Sequence, residues 1–193
     1  QSNRKNCEKL AHCIHYSLLR ENELSLIEKT INFHLKKSNN YQSYIQMEQF
    51  KQLKKCLDKG IAFHHSGLLP IFKELVEILF SYKNSEGKLQ PLIKILFATE
   101  TFAVGVNMPT KTVVFTNIQK WSNNEQRYLK SHEFLQMSGR AGRRGIDSSG
   151  LVILLPNMHK LPSEHIMKSI LLGKSQIIES KFKPNYKIVI KSI

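Results

Sequence analysis

Three arginines and three glycines fall within ten residues of this chain, Gln136 to Gly145, in the order QMSGRAGRRG. A guanidinium binds phosphate oxygens through parallel N–H donors, and glycine lets backbone approach a ligand closely. The stretch therefore points to a phosphate group. Arg140 and Arg143 are three residues apart, so a helix continuing through Gly142 would set both on one face, converging on a single group, with Arg144 a step round. The other reading is a basic loop gripping a nucleic-acid backbone. Glycine at 139, 142 and 145 together favours the first, because a generic basic loop does not need all three.

A second stretch, LFATETFAVGVNMP (96–109), follows an apolar run. Thr99 falls where that run ends, Gly105 permits a tight turn, and Asn107 offers an amide suited to a sugar hydroxyl. Thr-Glu-Thr is equally an ordinary helix N-cap. In HHSGLLP (64–70), two histidines precede Ser66, a candidate N-cap, and Pro70, early in a helix. Metal binding is conceivable there, but no third and fourth ligand stand at zinc-like spacing, so a structural role is expected. Cys7, His12, Cys13 and His15 have the spacing of one helix rather than of a metal finger. LLGKSQ (171–176) imitates the end of a phosphate loop, yet Lys168 stands where that loop needs glycine. No phosphate loop is expected in the chain, nor an acidic pair after a strand to hold magnesium.

These stretches must be positioned by strands and helices. GIAFHH (60–65), LIKILFAT (92–99), KTVVFTNI (111–118) and GLVILLP (150–156) are short apolar runs that read as buried strands. Helical patterning covers 7–19, 68–82, 132–142 and 163–173, whereas 83–91 and 122–131 read as surface loops. Alternation of strands and helices predicts an α/β fold with a parallel sheet, whose ligand crevice lies at the carboxyl ends of the strands. The 193 residues hold 29 Lys+Arg against 15 Asp+Glu, a formal charge of +14. That balance favours a polyanionic partner. Three scattered cysteines argue against a disulfide framework, and no apolar run approaches membrane-spanning length. A soluble intracellular protein is expected, with nucleus and cytoplasm both open.

IKILFATETFAVGVNMP, GIAFHHSGLLP and QMSGRAGRRG resemble motifs V, IVa and VI of the Ski2-like superfamily 2 helicases. ATETFAVGVNMP with HHSGLLP is similar to the DExH-box RNA helicase branch that holds Ski2 and Mtr4. QSNRKNCEKLA (1–11) resembles the end of motif IV, with its strand missing upstream. The resemblance implies a RecA-like parallel β-sheet flanked by helices over 1–158, the second of two such halves, then a helical linker over 159–179 and the start of a winged helix over 180–193. In departure from the family, the segment between Phe80 and Lys94 is longer than usual and 122–131 is only loosely like the loop before motif VI.

By the same resemblance ATP lies between the halves. Arg140 and Arg143 reach the γ-phosphate as arginine fingers, with Gln136 nearby. Gly105, Asn107 and Gly139 approach the nucleotide. Thr99, Glu100, Ser2 and Arg4 hold the backbone of single-stranded RNA. The first RecA-like domain supplies the magnesium ligands, so the chain alone is expected to be inactive. The implied partners are single-stranded RNA, that first domain and exosome-like RNA-decay cofactors, with no membrane. The expected activity is that of a 3′-to-5′ ATP-dependent RNA helicase. A DNA helicase of the same superfamily and a basic nucleic-acid-binding module without a motor are the alternatives. Backbone contacts by Lys and Arg predict that nucleic-acid affinity falls steeply with added salt, by roughly 1000-fold or more between 50 and 200 mM for six or more phosphate contacts. Filter binding across a salt series checks this.

Overall fold

The computed structural model describes residues 2–100, 102, 108, 110–122, 125–143, 145–155 and 161–173. They fall into two compact units, Gln1–Lys111 with Arg140–Leu151, and Thr112–Gly139 with Val152–Ile193.

In the first unit, β1 (Ile61–His64) pairs in parallel with β2 (Ile95–Ala98), with Ile61 opposite Ile95 and His64 opposite Ala98. All four residues of β1 are buried, which is why its sequence is apolar without alternation. The two strands are connected through α5 (Pro70–Phe80), as a parallel crossover requires. Pro70 opens α5, where its fixed φ suits the first turn and its missing N–H costs nothing. Phe72, Leu75, Val76 and Leu79 recur at helical spacing and are fully buried. Ser66 does not cap this helix: Leu69 is its N-cap residue, and the Leu69 amide donates to Gln49 Oε1 at 2.9 Å.

Helix α1 spans Ser2–His12. The helical pattern expected as far as Leu19 stops there because the following chain is drawn to the entrance of β1. Leu18 N donates to Lys59 O at 2.9 Å, and Lys59 Nζ donates to Ile14 O at 3.0 Å. Leu19 lies so close to Gly60 that a Cβ at that position would sit 2.7 Å from its Cδ2. Residues 23–57, for which the patterning above names no element, form α2 (Glu23–Lys36), α3 (Tyr41–Gln46) and α4 (Glu48–Leu57). Their buried residues, Ile27, Ile31 and Leu35 from α2 and Phe50, Leu53 and Leu57 from α4, join α5 and β1 in one core. The 83–91 loop is a tight turn: Asn84 Oδ1 accepts from the amides of Glu86 and Lys88, and Lys83 bridges to Leu89.

In the second unit, β3 (Thr112–Phe115) pairs with β6 (Leu151–Leu154), and Leu155 N donates to Phe115 O at 3.1 Å. Residues 122–131, expected as a loop, instead enter a hairpin in which β4 (Gln119–Ser122) runs antiparallel to β5 (Glu125–Tyr128). Helices α6 (Ser131–Ser138) and α7 (Glu164–Leu172) pack on a smaller core of Phe115, Ile118, Leu129, Phe134 and Ile170, with the Phe115 and Phe134 rings stacked at 4.8 Å. The fold is mixed α/β, and each of the four apolar runs carries a strand, but only β1 is buried throughout as expected, while β2, β3 and β6 are largely half-buried or exposed. The winged-helix start at 180–193 lies outside the described residues.

Phe72 meets the rings of Phe50 at 5.5 Å and Tyr44 at 5.9 Å, so it ties α3 and α4 to α5. Phe72→Ala is expected to lower unfolding free energy by about 3–5 kcal/mol through lost burial and the cavity left behind. Urea denaturation of wild type and variant measures the difference.

Candidate nucleotide and nucleic-acid site

The arginine loop begins where α6 ends. Ser138 is the last helical residue, and Gly139 N donates to Leu135 O at 2.8 Å. The helix does not continue through Gly142, whose φ of +89° no right-handed helix accommodates. Arg140 and Arg143 therefore do not share a helix face; each is placed by the loop. Ala141 forms a parallel bridge to Thr110, with Thr110 N donating to Arg140 O at 2.9 Å and Gly142 N donating to Thr110 O at 2.7 Å. The loop's return passes against this bridge: a Cβ on Gly150 would stand 2.4 Å from the carbonyl carbon of Ala141. Gly150 is thus as necessary to the loop as the glycines inside it, and the sequence reading above leaves it out.

Arg143 is held by Asp147. Its Nε donates to Oδ2 and its Nη2 to Oδ1, both at 2.8 Å, while its backbone N donates to Oδ2 at 2.9 Å. The amides of Ile146 and Asp147 close the turn onto Arg143 O. Donation from the Arg143 side chain, then from its backbone, draws the Asp147 carboxyl down to about 2, and the same pairing pushes the guanidinium up. Asp147 was also unforeseen. Its signal is a carboxylate four residues after an arginine in a glycine-containing turn.

Gln136 lies on α6 and Gly139 caps it, both in the second unit, whereas Arg140 and Arg143 belong to the first. Helix α6 is fixed at its start by Glu133, which accepts from the Lys130 amide and takes both Arg127 Nη1 and Nη2 at 2.8 Å, with Lys120 Nζ also at 2.8 Å. Arg127 above all, then Lys120 and the Lys130 amide, hold its carboxyl far below the usual carboxylate range against the opposing effect of burial. One carboxylate thereby ties both strands of the β4–β5 hairpin to the helix that carries Gln136.

Thr99 and Glu100 follow β2 at the carboxyl end of the β1–β2 pair, and the Arg4 side chain lies beside Gly67, three residues beyond β1. Thr99 follows β2 and its amide donates to His64 O at 3.2 Å. Arg4 is exposed on α1, one turn before Glu8, and Glu8 Oε1 meets His65 Nε2 at 2.9 Å just beyond β1. The two histidines build this corner. His65 Nδ1 accepts from Gly67 N at 3.1 Å, which leaves Nε2–H to donate to Glu8. His64 Nε2 meets Glu77 Oε1 at 3.0 Å, and its ring packs edge-on against Phe102 at 4.8 Å. Gly105, Asn107 and Arg144 lie outside the described residues. Ser2 is placed on α1 by its backbone only.

Guanidinium N–H donors of this kind suit phosphate oxygens. The Nη1 N–H groups of Arg143 and the second on Nη2 remain beyond those Asp147 takes.

Residues 8–145 match the model of the helicase conserved C-terminal domain, and the chain belongs to that family. Within it, the chain is similar to RNA helicases of the Mtr4 and Ski2 kind. It is 47% identical over 148 residues to a DExH-box ATP-dependent RNA helicase of Arabidopsis thaliana, covering 77% of this chain and 14% of that protein. It is 47% identical over 145 residues to the exosome RNA helicase Mtr4 of Homo sapiens, covering 75% and 13%. To the antiviral helicase Ski2 of Saccharomyces cerevisiae it is 44% identical over 164 residues, covering 85% and 12%. The chain thus spans about an eighth of the length of these relatives.

Burial lowers the pKa of His64 from 6.5, a stronger effect than the opposing pull of Glu77; Lys73 and His65 lower it further. As pH falls through 6.5 the unfolded chain therefore takes up a proton that folded His64 resists, and stability declines. Burial, with Lys59 and Lys55, lowers the pKa of His12 likewise. Denaturation midpoints are expected to drop between pH 7 and pH 5, and His64→Gln is expected to flatten that slope.

Proposed function

We propose that this chain is the C-terminal RecA-like half of an ATP-dependent RNA helicase, which contributes arginine fingers to ATP hydrolysis and grips the backbone of single-stranded RNA. The observation that carries the reading is the loop from Arg140 to Asp147: two arginines set on a glycine-shaped turn, pinned to Thr110 on one side and to Asp147 on the other. Membership of the helicase C-terminal family and the names of its relatives support it.

In this reading Arg140 and Arg143 meet the charge that develops on the transferred phosphate, and Gln136, Gly105, Asn107 and Gly139 line the nucleotide. Bound ATP supplies the free energy of hydrolysis, with Mg2+ held by acids of the first RecA-like domain. Thr99, Glu100, Ser2 and Arg4 contact RNA phosphates, which position the strand without reading its bases. Thr99 and the residues from Gly105 to Asn107 belong to one short segment after β2. A shift of that segment on closure of the site would be felt by RNA, and this couples turnover to movement of the strand, in the 3′-to-5′ sense. Exosome-like cofactors and a nuclear or cytoplasmic site belong to the same proposal.

The test is steady-state ATPase of the full-length protein, with and without single-stranded RNA or DNA, for wild type and Arg143→Ala. RNA is expected to stimulate more than DNA, and the variant to lose roughly 1000-fold or more in turnover while still binding RNA, as removal of an arginine finger does. Stimulation by DNA alone would make the protein a DNA helicase. Turnover indifferent to Arg143 would make the loop a phosphate clamp without a motor role.

A further inference from the structure

We propose that Asp147 is the positioning residue of the arginine loop: it takes the Nε–Nη2 edge of Arg143 and leaves the Nη1–Nη2 edge as the one that meets a phosphate. The inference rests on the reading of Arg143 as a phosphate-contacting residue.

A guanidinium has two edges that can bind an oxyanion through paired N–H groups, one through Nε and one Nη, the other through both Nη atoms. Asp147 occupies the first with two bonds of 2.8 Å. Its Oδ2 also receives the Arg143 amide at 2.9 Å, so the same carboxylate fixes the root of the side chain as well as its head. The carboxylate is itself fixed, since its own amide and that of Ile146 bond back to Arg143 O at 2.9 and 3.0 Å. Gly145, at φ +77°, gives the backbone the left-handed step this ring contains. Arg143 nevertheless keeps 24% of its side chain exposed, so one edge is held while the residue stays reachable.

Two consequences separate this role from simple attraction of charge. A carboxylate beside the arginine weakens its pull on a distant anion, so Asp147 does not help nucleotide to bind. What it does is remove the rotamers in which the finger points elsewhere, an effect felt where alignment matters most, in the transition state. Asp147 stays ionised across any assay range, with its pKa at about 2. Its effect is therefore constant with pH.

The experiment measures RNA-stimulated ATPase of the full-length protein carrying Asp147→Asn, Arg143→Ala or both. Asp147→Asn keeps the shape of the side chain, and a melting curve confirms that it folds. Expected is a fall in kcat of roughly 10- to 100-fold, the size typical of losing a partner that orients a functional group. KM for ATP should be unchanged or lower, and affinity for single-stranded RNA unchanged. Since Asp147 acts only through Arg143, the double variant should be no slower than Arg143→Ala. If Arg143→Ala is slow but Asp147→Asn turns over like wild type, or faster, the positioning role is wrong and the arginine-finger reading stands. Losses that multiply in the double variant likewise reduce Asp147 to a structural residue. If Arg143→Ala itself leaves kcat intact, the parent reading falls and this inference with it.

Discussion

A guanidinium is a rigid plane on a long, freely rotating stem, and a protein that must present one at a fixed point has to restrain both ends of that stem. The 140–150 segment meets this demand with backbone and carboxylate together. The Ala141 bridge to Thr110 sets the start of the loop, and Gly150 lets the return strand lie flat against it where any Cβ would collide with Ala141. Asp147 then takes the head of Arg143 and its amide at once. A helix alone could not do this. Its side chains leave at fixed angles on a regular spacing, whereas the positive φ of Gly142 lets Arg140 and Arg143 be aimed separately.

The rest of the first unit serves to hold one strand edge still. Strand β1 is buried on all sides, by α1, α4 and α5, and its carboxyl end is finished by two histidines rather than by aliphatic residues. A purely apolar end could bury as much surface but could not make a polar side-chain tie to the helices that pack on β1. His64 offers its carbonyl to Thr99 and its ring to Phe102, while Glu77 fixes that ring from α5. His65 does the same for α1 through Glu8, one turn from Arg4. The paired histidines are therefore a joint between the core and the segment after β2. Each ring is held there by a carboxylate, His64 by Glu77 and His65 by Glu8.

How much of this was legible in the sequence depended on whether the signal was local. The four apolar runs became strands at the expected places because each is short and rich in β-branched or aromatic residues, although only β1 is buried along its whole length. Helix α5 announced itself through Pro70 and an unbroken 3.6-residue period. Helix α2 was missed because exposed apolar residues such as Leu24 and Phe33 blur the spacing of the buried Ile27, Ile31 and Leu35, and α4 because lysines and glutamines at 49, 51, 52, 54 and 55 outnumber its buried Phe50, Leu53, Cys56 and Leu57. Only the core that receives those residues makes the pattern visible. The end of α1 at His12 is likewise non-local, set by Lys59 and Gly60 some forty residues away. The hairpin had a local cue, the pair Asn123-Asn124 between KWS and EQRY, which the high polarity of the stretch masked.

The site shows the same division. Types and spacing picked out Arg140, Arg143 and the three glycines, since arginines set among glycines suit phosphate oxygens. They mistook the geometry, because QMSGRAG continues a helical pattern up to Gly142 and only the bridge to Thr110 reveals that the helix has stopped. Asp147 escaped because an acidic residue beside a cluster of arginines looks like dilution of their charge. In three dimensions it takes the Nε–Nη2 edge and the amide of Arg143 and so fixes the direction of that side chain. A motif read from composition finds the groups that meet a ligand. The groups that aim them carry the opposite charge and are found only when the bonds are traced.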